Sequence, residues 1–428
     1  MHKQQLGFGS IILLGLNAII GSGIFLLPNQ VARLMGTASL LVIGFDAVLV
    51  ISIALCFAQA ATYFHQDGGP YLYAKSAFGG FVGFEVGFIT WVICIIAQAT
   101  MTAAFETELV TIFPAMHPFK ALIASAIIII LAMINLTGVQ ASKITINVVT
   151  ISKLLPLILF IAIGIFFIRG QNFVPFFPHG HYQKGSFAPA AITMFYAFTG
   201  FEGMVLAAGD MKDATHNLPK AITLVISCVA LIYALIQITT TGILGQQLAH
   251  NNVPIQAAFQ KITGPVGNDI VAAGTLLSTG GLMVTSSFIT PRAGVALGEG
   301  GSLPRWFAKR NQANAPWVTI IISLSLTLIL VWSGSFKFLV QISAISRFAQ
   351  YLPTCLAVLV FAHTKKLSPK QFHLKGGPII PLLAIGVSLW LLIQVKWQQL
   401  ILGLGALIVA IPIYGFMHWR KIDHAKHY

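Results

Sequence analysis

Charge is what this chain of 428 residues has least of: Asp, Glu, Lys and Arg make up 8% of it, where a soluble domain carries about 25%. With 57% hydrophobic residues and a mean hydropathy of +0.85, that scarcity excludes a soluble globular protein and points to an integral membrane protein. Cysteine is scarce too. Cys56, Cys94, Cys228 and Cys355 each lie inside an apolar run without metal-ligand spacing, which leaves packing as their role. None of the twelve histidines forms an HExxH or comparable pattern, so no metal site and no cofactor is expected. No convergent nucleophile, base or metal cluster is present, which argues against an enzyme. The first apolar run is too long for a signal-peptide core and lacks a small-residue cleavage site. The net charge of +14 does not imply nucleic acid, because the basic residues fall in short loops between apolar runs, as orienting charges do in a bilayer.

What is present is apolar length. Crossing the hydrocarbon core takes about 20 apolar residues, and twelve such runs occur, at roughly 8–30, 38–62, 82–110, 118–138, 146–168, 187–209, 220–244, 268–296, 316–334, 337–362, 378–395 and 398–418. No stretch is long enough for a separate soluble domain, so residues 1–428 read as one membrane-embedded unit. With the N-terminus inside, 16 Lys and Arg fall in cytoplasmic segments, against 7 on the other face. Lys3, Arg292, Arg305, Lys309, Arg310, Lys365 and Lys366 are in the first set; Arg33, Lys120 and Arg169 are in the second. That asymmetry puts both termini in the cytoplasm.

Two runs are interrupted. The first contains Ile19-Ile20-Gly21-Ser22-Gly23-Ile24-Phe25. Glycine inside a helix costs about 1 kcal/mol against alanine, so the stretch reads either as backbone meant to unwind beside a polar cavity or as a small-residue packing seam. The second interruption is Phe195-Tyr196-Ala197-Phe198-Thr199-Gly200-Phe201-Glu202-Gly203. It opens the second group of five runs as the first opens the first group. Glycine-interrupted helices in corresponding positions of two halves are the sequence pointer to an inverted-repeat transporter.

Four motifs in order carry a family resemblance. They are Ile-Ile-Gly-Ser-Gly-Ile-Phe-Leu-Leu-Pro (19–28); Asp67-Gly68-Gly69-Pro70-Tyr71 through Gly79; Phe198-Thr199-Gly200-Phe201-Glu202 followed by Met211-Lys212-Asp213 and Asn217-Leu218-Pro219; and Pro291-Arg292 to Gly300-Gly301-Ser302-Leu303-Pro304, then Ala315-Pro316. The chain resembles the amino acid–polyamine–organocation transporter superfamily, in its bacterial amino acid permease branch. The resemblance implies an all-α membrane fold of twelve transmembrane helices, a five-plus-five inverted repeat of LeuT-like form with helices 1 and 6 broken, plus two C-terminal helices. On that reading the first repeat covers about 8–168, the second about 187–362 and the extra helices about 378–418.

The resemblance also implies roles. The N–H groups of Ser22, Gly23 and Ile24, with the Ser22 hydroxyl, would take a substrate carboxylate at a helix N-terminus. Carbonyls of Ile19, Ile20, Tyr196, Ala197 and Thr199 would take its ammonium. Tyr196 falls where related antiporters place an aromatic gate, with packing as the alternative for Tyr196, Phe195 and Phe198. Lys153 stands mid-span, where a basic residue is a functional hypothesis by default. In proton-dependent relatives a lysine here replaces sodium; a permanently paired lysine is the other reading. Glu202 matches a glutamate implicated in proton sensing, with a helix-terminus role as the alternative. Glu85 and Glu108 are expected to be wetted near span ends. Asp46 and Arg347 lie deeper, as possible partners of each other or of Lys153. Ser278, Thr279, Thr285, Ser286 and Ser287 are a weaker sodium candidate. Gln98, Thr102 and Met283 are expected to line the side-chain pocket.

The expected function is secondary transport of an amino acid across the cytoplasmic membrane by alternating access, coupled to protons. Obligate exchange with another amino acid or an amine is the alternative, and a non-transporting sensor a third reading. The expected partners are the amino acid, the proton and the bilayer; nothing in the sequence speaks to oligomeric state.

Overall fold

A backbone inside lipid has no water to bond, so long apolar runs close their hydrogen bonds locally and become helices. In the computed structural model this holds along the chain, which is described over residues 7–64, 69–138, 143–206, 211, 213–364, 372–374 and 376–426. The Asp67–Gly68 part of the second motif, Lys212, and the basic residues Lys3, Lys365, Lys366, Lys370 and Lys375 lie outside the described residues.

The helices are α1 (Phe8–Ile19), α2 (Ser22–Leu26), α3 (Pro28–Met35), α4 (Ser39–Thr62), α5 (Gly69–Phe78), α6 (Gly80–Ile112), α7 (Lys120–Leu136), α8 (Lys143–Gly164) and α9 (Phe187–Ala197). There follow α10 (Glu202–Leu206), α11 (Ala214–Leu244), α12 (Pro254–Thr263), α13 (Pro265–Glu299), α14 (Trp317–Ser333), α15 (Phe336–Thr364), α16 (Ile379–Ile393) and α17 (Trp397–Lys426). No β-strand occurs among the described residues. Seven helical stretches there are long and apolar enough to cross a membrane, and five more apolar helices are shorter, α1, α9, α14 and α16 among them. The chain is a multi-pass membrane protein.

Some helices overrun their apolar cores. α11 begins at Ala214, ahead of the apolar run at 220, because Asp213 turns left-handed (φ 47°) and its carbonyl accepts the amides of His216 and Asn217. α6 extends over 33 residues, which has a consequence for its acids. Glu85 and Glu108, expected to be wetted, are 9% and 1% exposed, because both lie on faces of α6 that packing covers to within a few residues of its ends.

The chain forms two compact units. The first comprises Met1–Gly69, Val148–Ser278 and Tyr351–Val395. In it α4 packs on α11, tied where the Gln237 side-chain amide donates to Ser39 Oγ at 3.0 Å. Phe57, Phe195, Phe201 and Tyr351 form an aromatic cluster with ring centroids 5.3–6.1 Å apart. The second unit comprises Pro70–Asn147, Thr279–Gln350 and Lys396–Tyr428. Its core runs along α6, where Phe84, Phe88, Trp91 and Ile95 pack with Leu297, Leu303 and Phe307. Ala99 and Ala103 continue it with Ala124, Ile128, Val331 and Leu339. Trp91 donates to Ser323 (3.1 Å) and Trp332 to Ser125 (2.9 Å), so the indole N–H groups are bonded within the helix packing. All four cysteines are free thiols.

Candidate functional site

Both interruptions belong to the first unit, and both are breaks in the backbone. α1 closes its last bond from Ile20 N to Leu16 O; Ile20 and Gly21 are then extended, Gly21 at φ −145°, ψ −152°. The helical path resumes at Ser22 and continues through Leu27 into α3, with Pro28 at a first-turn position where its missing N–H costs nothing. The second break runs from Phe198 to Phe201 between α9 and α10 and turns on Gly200 at φ +111°.

The breaks pack against each other. A Cβ on Gly23 would sit 2.8 Å from the Cα and Cβ of Ala197, and one on Gly200 would sit 2.2 Å from the Ala18 carbonyl oxygen. The two readings of the first interruption therefore both apply, at different residues. Gly21 is the extended joint, and Gly23 is the packing seam.

A helix end leaves its last carbonyls without intrahelical partners, and α1 ends deep in the protein. Lys153, on α8 and 0% exposed, supplies the donors: its ammonium bonds the carbonyl of Asn17 and, at 2.7 Å, that of Ile20. These are charge-assisted bonds, the stronger kind. Lys153 is thus held by backbone carbonyls. The carboxylate oxygens of Asp46, a residue also 0% exposed, have no hydrogen-bond partner among the described residues.

The five carbonyls expected to face an ammonium divide into two groups. That of Ile20 accepts Lys153; that of Tyr196 accepts the Thr199 amide (3.1 Å) and hydroxyl (2.7 Å); that of Ala197 accepts the Tyr233 hydroxyl (2.9 Å). Those of Ile19 and Thr199 accept no hydrogen bond among the described residues. Ser22 and Tyr196, both buried, meet hydroxyl to hydroxyl at 3.2 Å, either one donating. Ile24 and Phe198 are 0% exposed, and the Phe198 ring lies on Tyr233 with centroids 5.1 Å apart.

Glu202 stands at the start of α10, where a carboxylate suits the free N–H groups and the dipole. One oxygen, Oε2, accepts both the Gly200 amide (3.0 Å) and the Tyr351 hydroxyl (3.1 Å), fastening the second break to the aromatic cluster. Tyr233 and Tyr351 were not singled out from sequence. A phenol in an apolar span is an amphipathic group whose hydroxyl needs a partner when buried, and that was the available signal. Gln98, Thr102 and Met283 are buried in the second unit, where the Thr102 hydroxyl bonds back to Gln98 O. In α13, Thr285 bonds back to Gly281 and Ser287 to Val284, while the buried Ser278 hydroxyl has no partner among the described residues.

The two helix breaks are thus in contact, the first resuming as helix at Ser22 and the second turning on Gly200. Comparison with known proteins places the chain in a family. The uncharacterized transporter Mb2001c of Mycobacterium bovis is 30% identical, over 99% of this chain and 96% of its own. The branched-chain amino acid permease BcaP of Bacillus subtilis is 25% identical, over 99% of this chain and 94% of its own. The serine/threonine exchanger SteT of Bacillus subtilis is 24% identical, over 98% of both chains. A family profile described as "Amino acid permease" matches residues 6–414, nearly the whole sequence. The chain belongs to the amino acid permease family of membrane transporters and is not an enzyme.

Proposed function

We propose that this permease is a secondary carrier moving an amino acid across the cytoplasmic membrane by alternating access, with Lys153 as the coupling group. The observation that carries the reading is the Lys153 ammonium on the Asn17 and Ile20 carbonyls, beside the first break. With Lys153 charged, the carbonyl end of α1 is tied to α8. Loss of the proton weakens both bonds and frees that end to move, which links a proton to the position of the helix that holds substrate.

In this reading the amides of Ser22, Gly23 and Ile24 take the substrate carboxylate. The ammonium goes to the carbonyls of Ile19 and Thr199, which accept nothing else among the described residues. Those of Ile20, Tyr196 and Ala197 shape the site while already bonded. Tyr196 acts as the gate, its hydroxyl meeting that of Ser22, which an incoming carboxylate contacts. Glu202 holds the second break through Gly200 rather than carrying the proton.

The same reading takes the twelve apolar runs as twelve crossings, with a first repeat ending in α8, an inverted second from α9 to α15, and α16 and α17 outside it. Both termini are then cytoplasmic. Exchange is the second reading, supported by likeness to SteT, a serine/threonine exchanger. Purified protein in proteoliposomes separates the two. Uptake of a labelled amino acid into empty vesicles under an imposed proton gradient supports coupling, whereas uptake only into vesicles preloaded with amino acid supports exchange. A thermal-shift screen against all amino acids and common amines identifies the cargo. No stabilisation by any of them would sink the amino acid assignment.

A further inference from the structure

The second unit holds a cavity that no residue of the two helix breaks lines. It measures about 390 Å³ and is walled by the end of α7, the last turns of α13 and the 310–316 loop that enters α14. Asn135, Phe288, Arg292, Glu299, Arg310 and Asn314 line it. Its walls are built rather than incidental. The Asn311 side chain donates to the Leu136 carbonyl at the end of α7 (2.8 Å) and accepts the Ala315 amide (2.9 Å). The loop carbonyl of Ala313 seats so closely on Gly138 (φ +76°) that a Cβ there would lie 2.3 Å from it.

The chemistry of the lining is that of an anion site. Two arginines, Arg292 and Arg310, line it with a single carboxylate, Glu299. Arg310 bonds Glu299 at 3.2 Å and the Asn314 carbonyl at 3.3 Å, whereas Arg292 makes no hydrogen bond or ion pair among the described residues. A guanidinium presents parallel N–H groups that match phosphate geometry.

The residues beside the lining point to what carries the phosphate. Next to Asn135, Phe288, Pro316 and Ile320 stand Ile134, Ile289, Trp317 and Ile321, each an apolar side chain at least 41% exposed. Exposed aliphatic residues on membrane helices face acyl chains, and tryptophan marks the headgroup level. A basic cavity at the end of such helices has the form of a lipid headgroup site.

We propose that this cavity seats the phosphate of an anionic phospholipid between Arg292 and Arg310, with its chains along the exposed faces of α7, α13 and α14. The phosphate displaces Glu299 from Arg310 as it enters. Free phosphate has the same charge chemistry but nothing to place on the apolar faces, and the test separates the two sources.

The full-length protein in neutral detergent is titrated with phosphatidylglycerol, with phosphatidylcholine and with inorganic phosphate, following lipid retention by native mass spectrometry and the unfolding temperature. Phosphatidylglycerol is expected to be retained and stabilising, with phosphatidylcholine and inorganic phosphate well behind. Arg292→Gln and Arg310→Gln should each weaken phosphatidylglycerol binding about fivefold, the usual worth of one interfacial arginine. Lys309→Gln, an exposed neighbour that does not line the cavity, should leave binding unchanged. Equal retention of the two lipids overturns the proposal, as does an equal loss in the Lys309 variant. Inorganic phosphate binding as tightly as phosphatidylglycerol overturns the lipid assignment in favour of a soluble-anion site.

Discussion

Gly200 is the residue whose replacement has the sharpest expected consequence. Its φ of +111° is open to glycine and strained for any other residue, and a Cβ would press on the fixed carbonyl of Ala18. Gly200→Ala should destabilise the protein by about 1–3 kcal/mol, seen as a lower unfolding temperature, and should abolish transport by prising the two breaks apart. Asp46 offers the opposite expectation. Its carboxyl is fully buried in α4 without a hydrogen-bond partner among the described residues, a state that costs about 1–3 kcal/mol in desolvation. Asp46→Leu should therefore raise stability by a similar amount, measured by thermal unfolding in detergent; a loss of stability would mean the carboxyl is held in the folded protein. From sequence, both residues were visible as oddities in apolar runs. Their surroundings were not, because the contacts of Gly200 come from a segment about 180 positions away.

The broken first helix is held at its carbonyl end by a lysine 133 positions from Ile20. Lys153→Met keeps the length and apolar stem of the side chain and removes both ammonium bonds. Bonds to charged groups contribute about 1.5–3 kcal/mol, so the end of α1 should loosen, with faster hydrogen exchange at the amides of Ile19 to Gly21. Transport by this variant should no longer respond to an imposed proton gradient. Persistent gradient dependence would move the coupling role elsewhere. The positions of both breaks were legible from glycine spacing alone, since a break needs only a residue that tolerates extended or left-handed backbone. Which half of each break is already bonded was not legible. That depends on Tyr233, Thr199 and Lys153 reaching particular carbonyls.

The distribution of charge over the loops governs how the chain sits in the bilayer. The excess of Lys and Arg on one set of loops predicts a cytoplasmic C-terminus after α17. A fluorescent protein fused there should be bright and an alkaline phosphatase fused there inactive; the reverse pattern would invert the topology. Helical content, the number of apolar runs and the membrane class followed from the chain by itself, because in lipid each backbone segment must satisfy its own hydrogen bonds whatever it packs against. The two breaks and the isolated basic residue in an apolar run were equally local signals. Tertiary structure alone decided the rest: that Lys153 rests on backbone carbonyls, that Glu202 is shared by Gly200 and Tyr351, that Glu85 and Glu108 are buried, and that Arg292 and Arg310 face a common cavity. Each of these joins residues distant in the chain, or depends on which face of a long helix is covered, and hydrophobic pattern carries no record of either.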